Sequence, residues 1–130
     1  TVKDKKNFEI EFILKTAPKV LENALFTPSG LADWFCDDVN VKDGIYSFSW
    51  NGAVEEARLI SNKSGQYIKW QWLEDEEDGL DTFFGFRFHV DPITNAVILT
   101  VCASAEEDEK QEVKSMWEQH ISDLKRYIGA

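Results

Sequence analysis

Residues 8–14 alternate, with Phe8, Ile10, Phe12 and Leu14 on one side and Glu9 and Glu11 on the other, which is the two-residue period of a half-buried strand. The period then changes. Thr16 stands at an N-cap position with Pro18 in the first turn behind it, and Val20, Leu21, Ala24 and Leu25 recur at helical spacing. Thr27-Pro28 repeats the signal ahead of Leu31, Ala32, Trp34 and Phe35, a second, shorter helix. From Val39 to Ser104 the period returns to two. Asp43-Gly44 and Asn51-Gly52 predict two-residue hairpins, and the second turn fixes a register that pairs Trp50 with Ala53, Phe48 with Glu55 and Tyr46 with Ala57. The same face carried back across Asp43-Gly44 places Val41 and Val39 inside. Further strands are predicted over 66–73, with Ile68, Trp70 and Trp72 on one face, over 82–90, with Phe84, Phe86 and Phe88 on one face, and over 96–104. Residues 74–79, Glu-Asp-Glu-Glu-Asp-Gly, read as a solvated acidic loop without the ligand spacing of a calcium loop. Ser104-Ala105-Glu106-Glu107 reads as a capping box. Beyond it Val113, Met116, Trp117, His120, Ile121, Leu124 and Ile128 form one apolar stripe of a long helix that ends in Lys125-Arg126.

Strand, two helices, six consecutive strands and a long amphipathic helix make an α+β domain built on a curved antiparallel sheet of about seven strands. At 130 residues the chain is expected to be a single domain. One helix cannot fill the aromatic face of such a sheet, so a cavity between helix and sheet is expected.

Two segments carry a family resemblance: Ala17-Pro18-Lys19-Val20-Leu21, and Leu25-Phe26-Thr27-Pro28-Ser29-Gly30-Leu31-Ala32-Asp33-Trp34-Phe35. They resemble the opening of START-like domains (helix-grip, SRPBCC), in the branch related to the activator of the heat-shock chaperone ATPase. The likeness in element order covers nearly the whole chain, 1–130; the motif itself covers 17–35. The resemblance implies a helix-grip fold, β-α-α-β6-α, with the sheet wrapped around the C-terminal helix. It further implies a hydrophobic cavity, used in different members for lipids, sterols, polyketide intermediates or chaperone contact. It carries no conserved catalytic set, so no catalytic residue follows from it.

Charge narrows the partners. Twenty-four acidic against 14 basic side chains give a net charge of −10, which repels phosphate backbones and argues against nucleic acid. The apolar runs are far shorter than a membrane span. Cys36 and Cys102 have no metal spacing, and no leader pattern opens the chain at Thr1–Asn7, so a cytoplasmic protein with both thiols reduced is expected. Cys36 has no neighbouring cation in sequence to activate it and reads as an inert thiol. No metal and no cofactor are expected.

Two polar residues stand out against the aromatic face. The hairpin register turns Glu55 toward Phe48 and Trp50, where desolvation would raise the carboxyl pKa unless donors pair with it. Helical phase puts His120 in the apolar stripe between Trp117 and Leu124, facing the sheet. His89 and Arg87 fall on the outer face. The expected ligand-binding set is therefore Phe48, Trp50, Glu55, Trp70, Trp72, Phe84, Phe86, Phe88, Trp117 and His120. The first functional expectation is a small-molecule binding module for a hydrophobic ligand. A chaperone-associated domain docking on a protein partner is the alternative. A third is a cyclase- or dehydratase-type enzyme with Glu55 and His120 as its acid/base pair.

Overall fold

The computed structural model describes residues 5–63 and 65–129, and each periodic segment becomes an element. Of the stretch read for a leader, residues 1–4 lie outside the described residues. Strand β1 (Lys6–Leu14) leads into helices α1 (Pro18–Phe26) and α2 (Pro28–Trp34). Strands β2 (Asp38–Lys42), β3 (Ile45–Trp50), β4 (Ala53–Lys63) and β5 (Tyr67–Trp72) follow, then a short helix α3 (Leu73–Glu77), strands β6 (Phe84–Val90) and β7 (Val97–Ala105), and the long helix α4 (Lys110–Ile128). All seven strands join one antiparallel sheet in the order β1-β7-β6-β5-β4-β3-β2. This is the expected α+β order, with α3 added inside the run of six strands.

Both hairpin turns have two central residues at positive φ, Asp43 at 54° with Gly44 at 79°, and Asn51 at 50° with Gly52 at 86°. That twist matches the strands on either side, and it fixes the register without slippage. Trp50 faces Ala53, Phe48 faces Glu55 and Tyr46 faces Ala57, while Val41 and Val39 face Tyr46 and Phe48. Farther along β4 the ladder passes from Leu59 opposite Trp70 to Ser61 opposite Lys69, so Ile60 is a bulge that bends the strand.

One face of the sheet is covered. Leu21, Leu25 and Leu31 from α1 and α2, Phe48, Trp70, Phe86 and Leu99 from the strands, and Ile121 and Leu124 from α4 are fully buried together. The helix α4 lies on β7, α1 and α2. Trp117, Ile121 and Leu124 are its buried positions, and the rest of its first half, where Val113 alone is partly buried, overhangs the sheet.

Several expectations are corrected. Helix α1 is capped at Ala17 rather than Thr16, with no side-chain cap. Pro18 has no N–H to cap, and the amides of Val20 and Leu21 both reach the Ala17 carbonyl. At the next helix Thr27 does accept from the Gly30 amide, at 3.0 Å. Val41 is 44% exposed because β2 is an edge strand running past the covered face. Met116 is 49% exposed for the same kind of reason, since it lies on the overhanging part of α4. The capping box does not form: β7 continues through Ala105 and α4 starts at Lys110, so Ser104 belongs to a strand. The acidic loop is partly helical, as α3, and holds a buried carboxylate: Asp75 is 1% exposed. Its Oδ1 accepts from Lys5 Nζ at 2.9 Å and its Oδ2 from the Thr82 hydroxyl at 2.7 Å.

Candidate functional site

Where α4 overhangs the sheet, a cleft of about 860 Å3 opens between them. Trp50, Trp72, Phe84 and Ala103, from β3, β5, β6 and β7, form the sheet wall, and Phe35, Val113, Met116, Trp117 and His120 form the helical one. The rim is the tip of the β3–β4 hairpin on one side and Leu73, Glu74 and Asp75 of α3 on the other, with Lys5 beside Asp75. Size falls within the range of ligand pockets, roughly 300–1,000 Å3.

The rings hold one another in place. Trp72 and Phe84 stack with centroids 4.3 Å apart and planes 17° apart. Phe35 stacks on Trp117 and meets Trp50 edge-on, with centroids 5.5 Å and 5.3 Å apart, while the Trp50 indole N–H donates to the Phe35 carbonyl at 2.8 Å. This single residue at the end of α2 thus ties β3 to α4. His120 lies 5.1 Å from the Phe35 ring and 5.3 Å from that of Trp117. Burial there pushes its pKa below the ordinary histidine value, against a smaller opposing pull from the Asp123 carboxylate, so the imidazole is neutral at neutral pH.

Six of the ten residues expected from the sequence border this cleft: Trp50, Glu55, Trp72, Phe84, Trp117 and His120. The other four, Phe48, Trp70, Phe86 and Phe88, do not. They lie deeper, where ring-to-ring contacts use up their surface; Phe48 alone meets Phe35, Tyr46, Trp50, Trp70, Trp72 and Phe84. Glu55 is on the aromatic face by register yet exposed, because β4 leaves the covered area near the hairpin tip. The desolvation expected for it is therefore not met. Among the described residues no hydrogen bond joins Glu55 to His120. The sequence reading missed Phe35 and Asp75. The Trp34-Phe35 pair after the Thr-Pro helix was a usable signal for the first; the partners of the second are 70 and 7 residues away, and no local pattern announces them.

Away from the cleft, Cys36 and Cys102 are free and buried. Burial pushes the Cys36 thiol up to about 11, so it stays protonated at neutral pH. His89 and Arg87 are exposed on the outer face, where Arg87 pairs with Glu9. Among the described residues one acidic trio, Glu106, Asp108 and Glu109, brings its carboxylates within 4.8 Å of one another, at the surface just ahead of α4. No helix of the described residues is long and apolar enough to cross a membrane.

Known proteins place this architecture. A solution structure of a Bacteroides fragilis protein is 27% identical, with a TM-score of 0.66, and the match covers 95% of this chain and 90% of that one. The Aha1 dimer from Colwellia psychrerythraea is 19% identical with a TM-score of 0.77, covering 95% of this chain and 96% of that one. DynU16, a protein of the dynemicin biosynthetic locus, is 16% identical with a TM-score of 0.73, covering 95% of this chain and 47% of that one. No curated protein matches the chain. The model of the START-like superfamily domain matches residues 2–130, the whole β-α-α-β6-α run together with the helix that overhangs the cleft, and the chain belongs to that superfamily.

Proposed function

We propose that the cleft binds a small hydrophobic molecule, with Trp50, Trp72, Phe84 and Trp117 against its body and Glu55 and His120 near its polar end. One observation carries this reading: rings from five elements line a space that α4 leaves uncovered, while the neighbouring part of the same face, around Phe48, Trp70, Phe86 and Leu99, is fully buried. START-like domains are often ligand-binding, which supports it further. A binding role is favoured over an acid/base role because Glu55 stands in solvent and makes no hydrogen bond with His120 among the described residues.

The test is a titration with the uncharged fluorophore N-phenyl-1-naphthylamine, whose emission rises in apolar surroundings. Saturable binding at one site per chain is expected, weakened by at least about tenfold in Val113→Trp, whose added ring would occupy the space between α4 and the sheet. Absence of saturable binding, or equal binding by a folded Val113→Trp variant, would overturn the proposal.

A further inference from the structure

We infer that the ligand's polar end is a cation, so that the cleft selects an organic ammonium group on an apolar body over a carboxylate of the same shape. This deepens the binding reading above and rests on it.

The charges around the opening are one-sided. Glu55 and Glu56 border it from β4, and Glu74 and Asp75 border it from α3. Lys5 is the one basic residue among the described lining residues, and its ammonium is already held by Asp75 at 2.9 Å. His120 adds no positive charge, because burial between Phe35 and Trp117 keeps it neutral. A carboxylate entering here would meet an excess of like charge, and among the described lining residues the one cation is already engaged by Asp75. An ammonium group would be drawn by that excess of carboxylate charge, with the solvent-exposed Glu55 as its acceptor.

The walls favour the same sign. Trp50, Trp72 and Phe84 are half-buried or buried rings at the mouth, and the Trp50 N–H is turned to the Phe35 carbonyl. Phe84 is stacked upon by both Trp70 and Trp72, so the half-buried Trp50 and Trp72 are the rings with surface left to attract a cation. At longer range the net charge of −10 raises the local concentration of cations and lowers that of anions.

Three probes share one ring system and differ in charge: 2-(1-naphthyl)ethylamine, 2-(1-naphthyl)ethanol and 1-naphthylacetate. Calorimetric titration at pH 7.5 and low salt is expected to show the amine binding about tenfold tighter than the alcohol, from cation–π and carboxylate attraction together, with the acetate weakest. Raising the salt to about 0.5 M narrows that gap through screening. In Glu55→Gln the amine-to-alcohol ratio falls by about threefold, the share of one exposed carboxylate. Equal affinities for amine and alcohol, an acetate that binds as well as the amine, or a ratio unaltered in both Glu55→Gln and Glu56→Gln would overturn the cation inference while leaving a binding cleft in place. If none of the three binds, the inference and the binding reading fail together.

Discussion

Phe35 and Trp117 stack with their ring planes 13° apart, joining the end of α2 to the middle of α4 across the inner end of the cleft. Trp117 is 4% exposed and also meets Phe86 edge-on. It is thus both cleft wall and core.

Removing that ring therefore costs stability as well as shape. Trp117→Ala is expected to destabilise the fold by roughly 3–5 kcal/mol, the usual range for emptying a large aromatic site. Trp117→Phe, which keeps a ring against Phe35, is expected to cost less than half as much. Urea midpoints at an unchanged slope measure both. A loss under about 1 kcal/mol for the alanine variant would show that α4 is not held through this contact.

How far the sequence foretold this site depends on how local each determinant is. The hairpin turns need positive φ at two successive residues, and Asn-Gly and Asp-Gly announce that within two positions; everything registered from them, down to Glu55 opposite Phe48, came out as read. The face a residue points to was legible for the same reason. What covers that face was not. Val41, Met116 and Glu55 have the expected orientation and stand in solvent, because coverage depends on where α4 stops over the sheet. Cys102 and Thr100 show the opposite: they lie on the uncovered face yet are 4% and 6% exposed. Cys102 is reached there by the Arg87 guanidinium and the Glu9 carboxylate, long side chains that screen the sheet surface. The α4 cap was misread because Ser-Ala-Glu-Glu satisfies the local rule while β1 pairing draws residues 97–105 into β7 instead, with Lys6 opposite Ala105.

Two ion pairs of α3 among the described residues separate buried from exposed charge within one turn of helix. Asp75 joins Lys5 and Thr82 in a buried place, whereas Glu76 meets Arg58 at 2.9 Å with both side chains largely in water. Asp75→Ala leaves a hydroxyl and an ammonium without their acceptor and is expected to cost roughly 1–3 kcal/mol. Arg58→Ala is expected to cost no more than about 1 kcal/mol, the range for a solvated pair. Equal losses in urea unfolding would mean that Asp75 does not anchor α3 at the cleft rim.

His120 gives the fold a pH dependence of known sign. Its ring sits between Phe35 and Trp117, and burial there disfavours the imidazolium more than the Asp123 carboxylate favours it, so the folded-state pKa lies below the ordinary 6.5. The unfolded chain, whose histidine titrates normally, takes up that proton at a higher pH than the folded chain does. Below about pH 6.5 the unfolded state thus binds more protons at this position, and stability that is fully present above that pH is lost as the pH falls through the folded-state pKa. Carboxylates elsewhere add their own acid dependence, so the share of His120 is read as a difference. In His120→Leu no proton can bind at position 120, and the fall in melting temperature between about pH 7 and pH 5 is expected to be shallower than in the parent chain. Proton NMR of the His120 ring in the folded chain is expected to give a midpoint below 6.5. A midpoint above that value, or identical pH profiles for the two chains, would mean that the imidazole is not held neutral between these rings.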